Sequence, residues 1–236
     1  MPKDEQYSPE PKNGRKYTED FNHFYSRFAG GYDWLVKILP FWRNWIKAAI
    51  PWIQGPRVLE VSFGTGYLLT QYADQFTTYG MDFNQNLALV ARSNLRKHGK
   101  AANLQVANVE VIPYADGSFD TIVNTMAFSG YPDGNLALFE MLRVLKPGGR
   151  LVMADVSYPG NGNWAGKLLT KGWKAGGDII RDMPALFAEF GLEWTDKEVG
   201  GFGSVHLYVV EKCTPKAANI SGTCEKRLSS GKTTAV

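Results

Sequence analysis

After Pro56 the chain alternates short apolar runs with amphipathic stretches, and this alternation constrains its fold more than any other feature. "RVLEVS" reads as a strand, "YLLTQYADQF" as a helix, "TTYGMDF" as a second strand, and "NQNLALVARSNLRKHG" as a helix opening at Asn84. "NLQVANV" and "FDTIVNTM" supply two more strands. "NLALFEMLRVLKPGG" is predicted to be a helix with Leu136, Phe139, Leu142 and Leu145 at helical spacing, stopped by Pro147, Gly148 and Gly149. "RLVMADVS" is a fifth strand and "MPALFAEFG" a last helix. "LEWTDKEVG" and "SVHLYVVEK" then close the sheet as a β-hairpin. Parallel strands need crossovers, which the intervening helices provide, so the class is α/β: a doubly wound, mostly parallel sheet with an antiparallel C-terminal hairpin.

The segments around this core differ from it. Residues 1–18 are polar and proline-bearing, and are expected to be mobile. Residues 19–55 hold the aromatic run "FNHFYSRFAGGYDWLVKILPFWRNWIKAAIPWI", expected to form short helices broken at Gly30-Gly31, Pro40 and Pro51. Such helices suit a lid packed over the sheet. Trp34, Trp42, Trp45 and Trp52 beside Lys37, Arg43 and Lys47 also keep open a peripheral membrane contact. Residues 56–211 form the core, in one domain with the lid, and 212–236 a disordered tail. At 236 residues and 44% hydrophobic composition, one good-sized core is the expectation.

The turn in "RVLEVSFGTGYL" is the natural ligand site, because open parallel sheets bind ligands beyond the carboxyl ends of their strands. Gly64 and Gly66 allow close backbone approach. The spacing Ser62-x-Gly64-x-Gly66 is not the GxGxxG that seats a pyrophosphate on a helix N-terminus. Glu60, inside the first strand, would repel a pyrophosphate and could hold an α-ammonium group. Asp82, ending the second strand, is placed to accept hydrogen bonds from both hydroxyls of a ribose. These details favour S-adenosylmethionine (SAM) over a dinucleotide.

"VLEVSFGTG", "YGMDFN", "NVEVIPYADGSFDTIV" and "RVLKPGGRLVMADV", in that order and spacing, resemble the class I SAM-dependent methyltransferases. The likeness is strongest to the branch acting on quinones, sterols and phosphatidylethanolamine, and covers roughly residues 20–156. It implies a Rossmann-like fold and SAM as cofactor, with S-adenosylhomocysteine (SAH) as product. Carried over by residue, Glu60, Val61, Ser62, Gly64, Thr65 and Gly66 would surround the methionine end. Asp82 would bind the ribose and Phe83 pack on the adenine. Asn108 would face the adenine amino group and Val109 offer its backbone N–H. Asn124 and Thr125 would line the methionine side, and Tyr25 and Tyr32 would close the site from the lid. The sequence departs from the family pattern twice: Ser62 stands where the first glycine is usual, and Asn108 where Asp is usual. A serine with ordinary strand dihedrals and a hydroxyl free to bond the cofactor carboxylate is compatible with binding, so Ser62→Gly is expected to preserve it.

Substrate contacts are expected at His23, Phe28, Met126, Asp155 and Trp164, with residues 158–181 as a second wall of the substrate site. No residue declares itself a catalytic base. Cys213 and Cys224 both lie in the tail and form no CxxC pair, so no metal site is indicated. Five tail cations account for the net charge of +3, which leaves a nearly neutral body without a nucleic-acid surface. The N-terminus has no apolar signal core and no run spans a bilayer, so a cytoplasmic protein acting on a small molecule is the reading. Three functions fit: methyl transfer to a small hydrophobic or aromatic acceptor, methylation of a lipid or quinone headgroup at a membrane surface, or SAM binding without methyl transfer.

Overall fold

The computed structural model describes residues 6–19 and 40–213. Seven strands form one sheet: β1 Arg57–Val61, β2 Thr77–Asp82, β3 Asn103–Val106, β4 Phe119–Thr125, β5 Leu145–Val156, β6 Trp194–Gly200 and β7 Val205–Glu211. Their order is β3-β2-β1-β4-β5-β7-β6. β1 pairs in parallel with β2 on one side and β4 on the other, and β7 inserts antiparallel between β5 and β6. The strand order therefore reverses between β1 and β4, where two carboxyl ends diverge and leave a crevice.

Besides helical residues 14–19, the helices beside the sheet among the described residues are α1 Pro40–Lys47, α2 Leu69–Tyr72, α3 Gln85–Lys97, α4 Gly134–Val144, α5 Trp164–Ala175 and α6 Met183–Glu189. Two apolar layers result. Leu59, Ile122, Met153, Tyr208 and the buried side of α4 and α6 build one; Val58, Val123, Leu69, Ala91 and Leu207 belong to the other, beneath α1 and α3. α3 starts as the sequence indicates, with Asn84 Oδ1 accepting from the Asn86 and Leu87 N–H groups.

Several local expectations are corrected. Residues 6–19 are not a free arm: Ser8 N–H bonds the Ile180 carbonyl, Tyr17 OH bonds the Gly177 carbonyl, and Glu10 reaches the Gly134 N–H and Arg181. α4 buries Ala137, Leu138, Met141 and Val144, whereas Leu136 and Phe139 are exposed. A three-residue step slips back by about 60° each time, so the predicted stripe 136/139/142/145 winds halfway round the helix instead of following one face. Leu145 already belongs to β5. α2 keeps only four residues of the expected helix, since the chain first makes a turn closed by Gly66 N–H to the Phe63 carbonyl. α1 begins at Pro40, one of the expected break points, and the residues before it lie outside the described ones.

Candidate active site

A cleft of about 180 Å³ opens at the β1–β4 crevice. Glu60, Ser62, Gly64 and Thr65 come from β1 and the turn after it, Asp82 and Phe83 from the end of β2, Asn108 and Val109 from the turn after β3, and Thr125 and Met126 from the end of β4. Ten of the expected residues thus converge from four strand ends. Thr18 of the N-terminal segment and Trp42 and Ile46 of α1 reach the same cleft, which gives residues 40–47 a covering position.

The two carboxylates are buried and differently tied. Glu60 accepts from Tyr72 OH at 2.7 Å, its hydrogen-bond partner among the described residues. Burial pushes its carboxyl up to about 8, with the Tyr72 bond acting against the shift and Asp82 adding to it. Asp82 accepts from Gly64 N–H through Oδ2 and from Asn84 N–H through Oδ1, each at 2.8 Å. Burial raises its carboxyl to about 6, and those two backbone bonds hold it down. The Asp82 side chain therefore ties the glycine turn to the start of α3. No Arg, Lys or His lines the cleft among the described residues.

The two glycines do different work. Gly64 has φ +55° and open space where a Cβ would stand. Gly66 has φ +71°, and a Cβ there would lie 2.8 Å from Ala91 Cβ, so it is required by the packing of α3 and is absent from the cleft lining. Ser62 does not have strand dihedrals. Its φ is +58°, in the left-handed region that favours glycine, and Met126 across the crevice has φ +53°. The Ser62 hydroxyl is also not free, lying 2.7 Å from the Tyr131 hydroxyl.

Other expected residues take structural roles. Val61 is a core side chain whose carbonyl accepts from Asn124 Nδ2, and Asn124 is fully buried between the strands. Asn108, which lines the cleft, also caps the turn after β3 by accepting from Glu110 N–H, which uses one of the two lone pairs of its amide oxygen. Asp155 does not line the cleft. Its carboxylate is buried and accepts from the Ser129 and Val156 N–H groups, fixing the turn Phe128–Gly130. Trp164 is 77% exposed at the start of α5 and stands away from the cleft. Residues 158–181 accordingly do not wall the cleft, although Trp173 of α5 packs on Trp42 at 5.6 Å between ring centroids. His23, Tyr25, Phe28 and Tyr32, and with them Trp34, lie outside the described residues.

Tyr131 is the main residue the sequence did not flag. It follows the Phe128–Gly130 turn, is 8% exposed, and lines the cleft. Arg181 fixes that turn by donating to the Phe128 and Tyr131 carbonyls. "GYPDG" carries only a turn signal, so nothing local pointed to Tyr131.

Residues 59–153 match the family model described as a methyltransferase domain. Residues 59–153 are thus similar to a methyltransferase domain, and the strand order and the crevice site accompany that likeness. The ubiquinone/menaquinone biosynthesis C-methyltransferase UbiE of Geobacter sulfurreducens is 33% identical over 152 residues, which are 60% of this chain and 59% of that protein. The enzyme of the same name from Geotalea daltonii is 32% identical, over 60% of this chain and 65% of its own. The chain thus spans about three-fifths of the length of these curated relatives. Among solved structures, the methyltransferase bound to the Trm112 activator of Haloferax volcanii has a TM-score of 0.65 at 19% identity, covering 80% of this chain and 98% of that one. Geranyl diphosphate C-methyltransferase of Streptomyces coelicolor, solved with Mg²⁺, geranyl diphosphate and SAH, has a TM-score of 0.55 at 15% identity, covering 68% and 71%. At such identities these two structures establish the fold alone.

The residues present fit SAM. A carboxylate beside an open glycine turn, a second carboxylate one strand over, and a lining without cations among the described residues suit a ligand bearing an ammonium, a sulfonium and a ribose. Phe83, Leu87 and Val109 offer apolar surface for an adenine.

Proposed function

We propose that this protein is a SAM-dependent methyltransferase whose acceptor is a small hydrophobic or aromatic molecule of quinone type. What carries the reading is the pairing of Glu60 and Asp82, two buried carboxylates at neighbouring strand ends that flank a glycine turn, in a cleft with no described cation. The likeness to quinone C-methyltransferases supports the acceptor class. Glu60 would take the ammonium group, Asp82 the ribose hydroxyls, and Phe83 with Val109 the adenine. The bound cofactor supplies an electrophilic methyl on a sulfonium. The chain's own contribution is to exclude water and align the acceptor, which can account for much of a methyl-transfer rate. Trp42, Ile46 and Met126 provide an apolar surface for that acceptor.

Among the described lining residues none is suited to act as a base. Tyr131 is pushed up by burial and bonded to two side chains, and both carboxylates are assigned to the cofactor. The acceptor therefore brings its own nucleophilicity, as a hydroquinone ring does at the carbon activated by its hydroxyls. The test is calorimetric binding of SAH followed by mass analysis of methyl transfer to a reduced naphthoquinone, its oxidised form, an amine and a thiol. Absence of SAH binding, or unchanged affinity in Asp82→Ala, would sink the cofactor assignment. SAH binding without transfer to any acceptor would assign a non-methylating role.

A second reading, methylation at an anionic lipid surface, is favoured by the outer face of α5. Trp164 and Leu168 are 77% and 63% exposed, one turn apart, with Lys167 and Lys171 in the same stripe and no acid in the helix. α5 rests on the turn that carries exposed Phe202, and through Trp173 it touches α1, which has no acid either. Trp42 and Trp45 turn inward, Trp42 onto Trp173 and Trp45 against Gly200, so the exposed apolar surface of α1 is Phe41. Among the described residues no helix is long and apolar enough to cross a membrane. Co-sedimentation with phosphatidylserine vesicles that disappears in Trp164→Ser/Leu168→Ser would support surface binding; pelleting equal to the vesicle-free control would remove it.

A further inference from the structure

Holding an ammonium on Glu60 does not explain why a serine occupies a left-handed position two residues later. Ser62 sits at φ +58°, where residues other than glycine are disfavoured, and strain of this kind persists where the surroundings hold it. What holds it is a chain of hydrogen bonds. Asn124 Nδ2 lies 3.1 Å from the Val61 carbonyl oxygen and 2.7 Å from the Tyr131 hydroxyl.

The direction of each proton follows from donor and acceptor chemistry. A carbonyl oxygen only accepts, so the atom facing Val61 is the amide nitrogen, and its second proton goes to the Tyr131 oxygen. Desolvation pushes the Tyr131 phenol up, so it keeps its own proton. Having accepted from Asn124, Tyr131 has one other hydrogen-bond neighbour among the described residues, Ser62 Oγ at 2.7 Å. Tyr131 therefore donates to Ser62. Were the serine the donor, a buried phenolic proton would be left without an acceptor, which is disfavoured. Among the described residues Ser62 Oγ has no further partner, and Ser62 lines the cleft.

We infer that Asn124, Tyr131 and Ser62 form an oriented relay that fixes the Ser62 hydroxyl as a donor into the cleft, where it reads the carboxylate of the cofactor's amino-acid end. This rests on the SAM reading above. Glu60 accepts and Ser62 donates, so β1 and its turn present an acceptor and a donor side by side, the complement of a zwitterion. Ser62 is the binding group; Tyr131 and Asn124 are positioning residues that act through it. Successive donation along the chain polarises the last hydroxyl and strengthens its bond to an anion.

The test compares two ligands by calorimetry. SAH carries the amino-acid group, whereas 5′-methylthioadenosine shares its adenosine and thioether but lacks that group. Contrary to the expectation from sequence that Ser62→Gly preserves binding, Ser62→Gly and Tyr131→Phe are each expected to weaken SAH binding about tenfold, with methylthioadenosine changed by less than about twofold. The double variant is expected to bind SAH no more weakly than either single one, because the groups act in series. Ser62→Ala is expected to match Ser62→Gly in SAH affinity although glycine is at ease at this φ and melts higher, a separation that a purely structural role would not give. Equal losses for both ligands, or no loss in Tyr131→Phe, would overturn the relay. Failure of the unaltered protein to bind SAH overturns the cofactor reading itself and appears before any variant is made.

Discussion

Glu60 makes cofactor binding a proton-linked event. Its carboxyl is raised to about 8 in the free protein, so at pH 7 only about a tenth of the molecules carry the anion that would pair with an ammonium. The apparent dissociation constant is then about tenfold weaker than the intrinsic one. Between pH 6 and 8 the ionised share rises from roughly one part in a hundred to about half, so SAH affinity is expected to tighten by about fiftyfold. Binding at pH 7 is expected to release close to one proton. Calorimetry in buffers of differing ionisation heat measures both quantities, since the apparent enthalpy shifts by the protons released times that heat. Glu60→Gln keeps the shape and the Tyr72 contact, loses the charge-assisted bond, and is expected to bind about 30-fold more weakly at pH 8, keeping only the roughly twofold pH dependence that Asp82, raised to about 6, contributes. A dissociation constant constant from pH 6 to 8 in the unaltered protein, with heats independent of buffer, would refute the linkage. So would a change in Glu60→Gln well beyond the roughly twofold that Asp82 gives over the same range.

The same carboxyls bear on stability without ligand. A raised folded-state value means a contribution fully present below the ordinary range, near 4.5 for Glu60, and lost as pH climbs through about 8, so the free protein is expected to melt lower as pH rises across that window. The loss is capped at roughly 5 kcal/mol and is expected to be largely absent in Glu60→Gln on a thermal scan. Gly66→Ala forces a Cβ against Ala91 at 2.8 Å and into a left-handed backbone, and is expected to cost about 2–4 kcal/mol in urea unfolding. Arg181→Ala removes the donors to the Phe128 and Tyr131 carbonyls and the Glu10 pairing, and is expected to cost about 3 kcal/mol while weakening SAH binding through the displaced Tyr131.

What could be read from sequence was whatever local pattern determines. The strand-helix alternation, the Asn84 cap, the antiparallel hairpin and the convergence of Glu60, Gly64 and Asp82 all follow from short-range spacing. The errors arose where distant residues decide. Ser62 and Tyr131 are 69 positions apart, so no window could show that the serine is tied or that its backbone is left-handed. Asp155 lies at a strand end where ligands usually gather, but the Ser129 N–H takes its carboxylate. Gly66 looked like a ligand glycine because α3, which needs the space, comes back to it only through Ala91. On α4, hydrophobic residues on both sides of the helix allowed two stripes, and only the sheet selects the one that is buried.

The absence of cations from the described cleft lining has a consequence for selectivity in the cell. Most adenine there is carried on polyphosphates, and these would meet Asp82, a partly charged carboxylate with little water around it. Phosphate-bearing adenosines are therefore expected to bind more weakly than SAH at neutral pH, which competition by ATP in the same calorimetric titration would check. A positively charged adenosine gains from the same field.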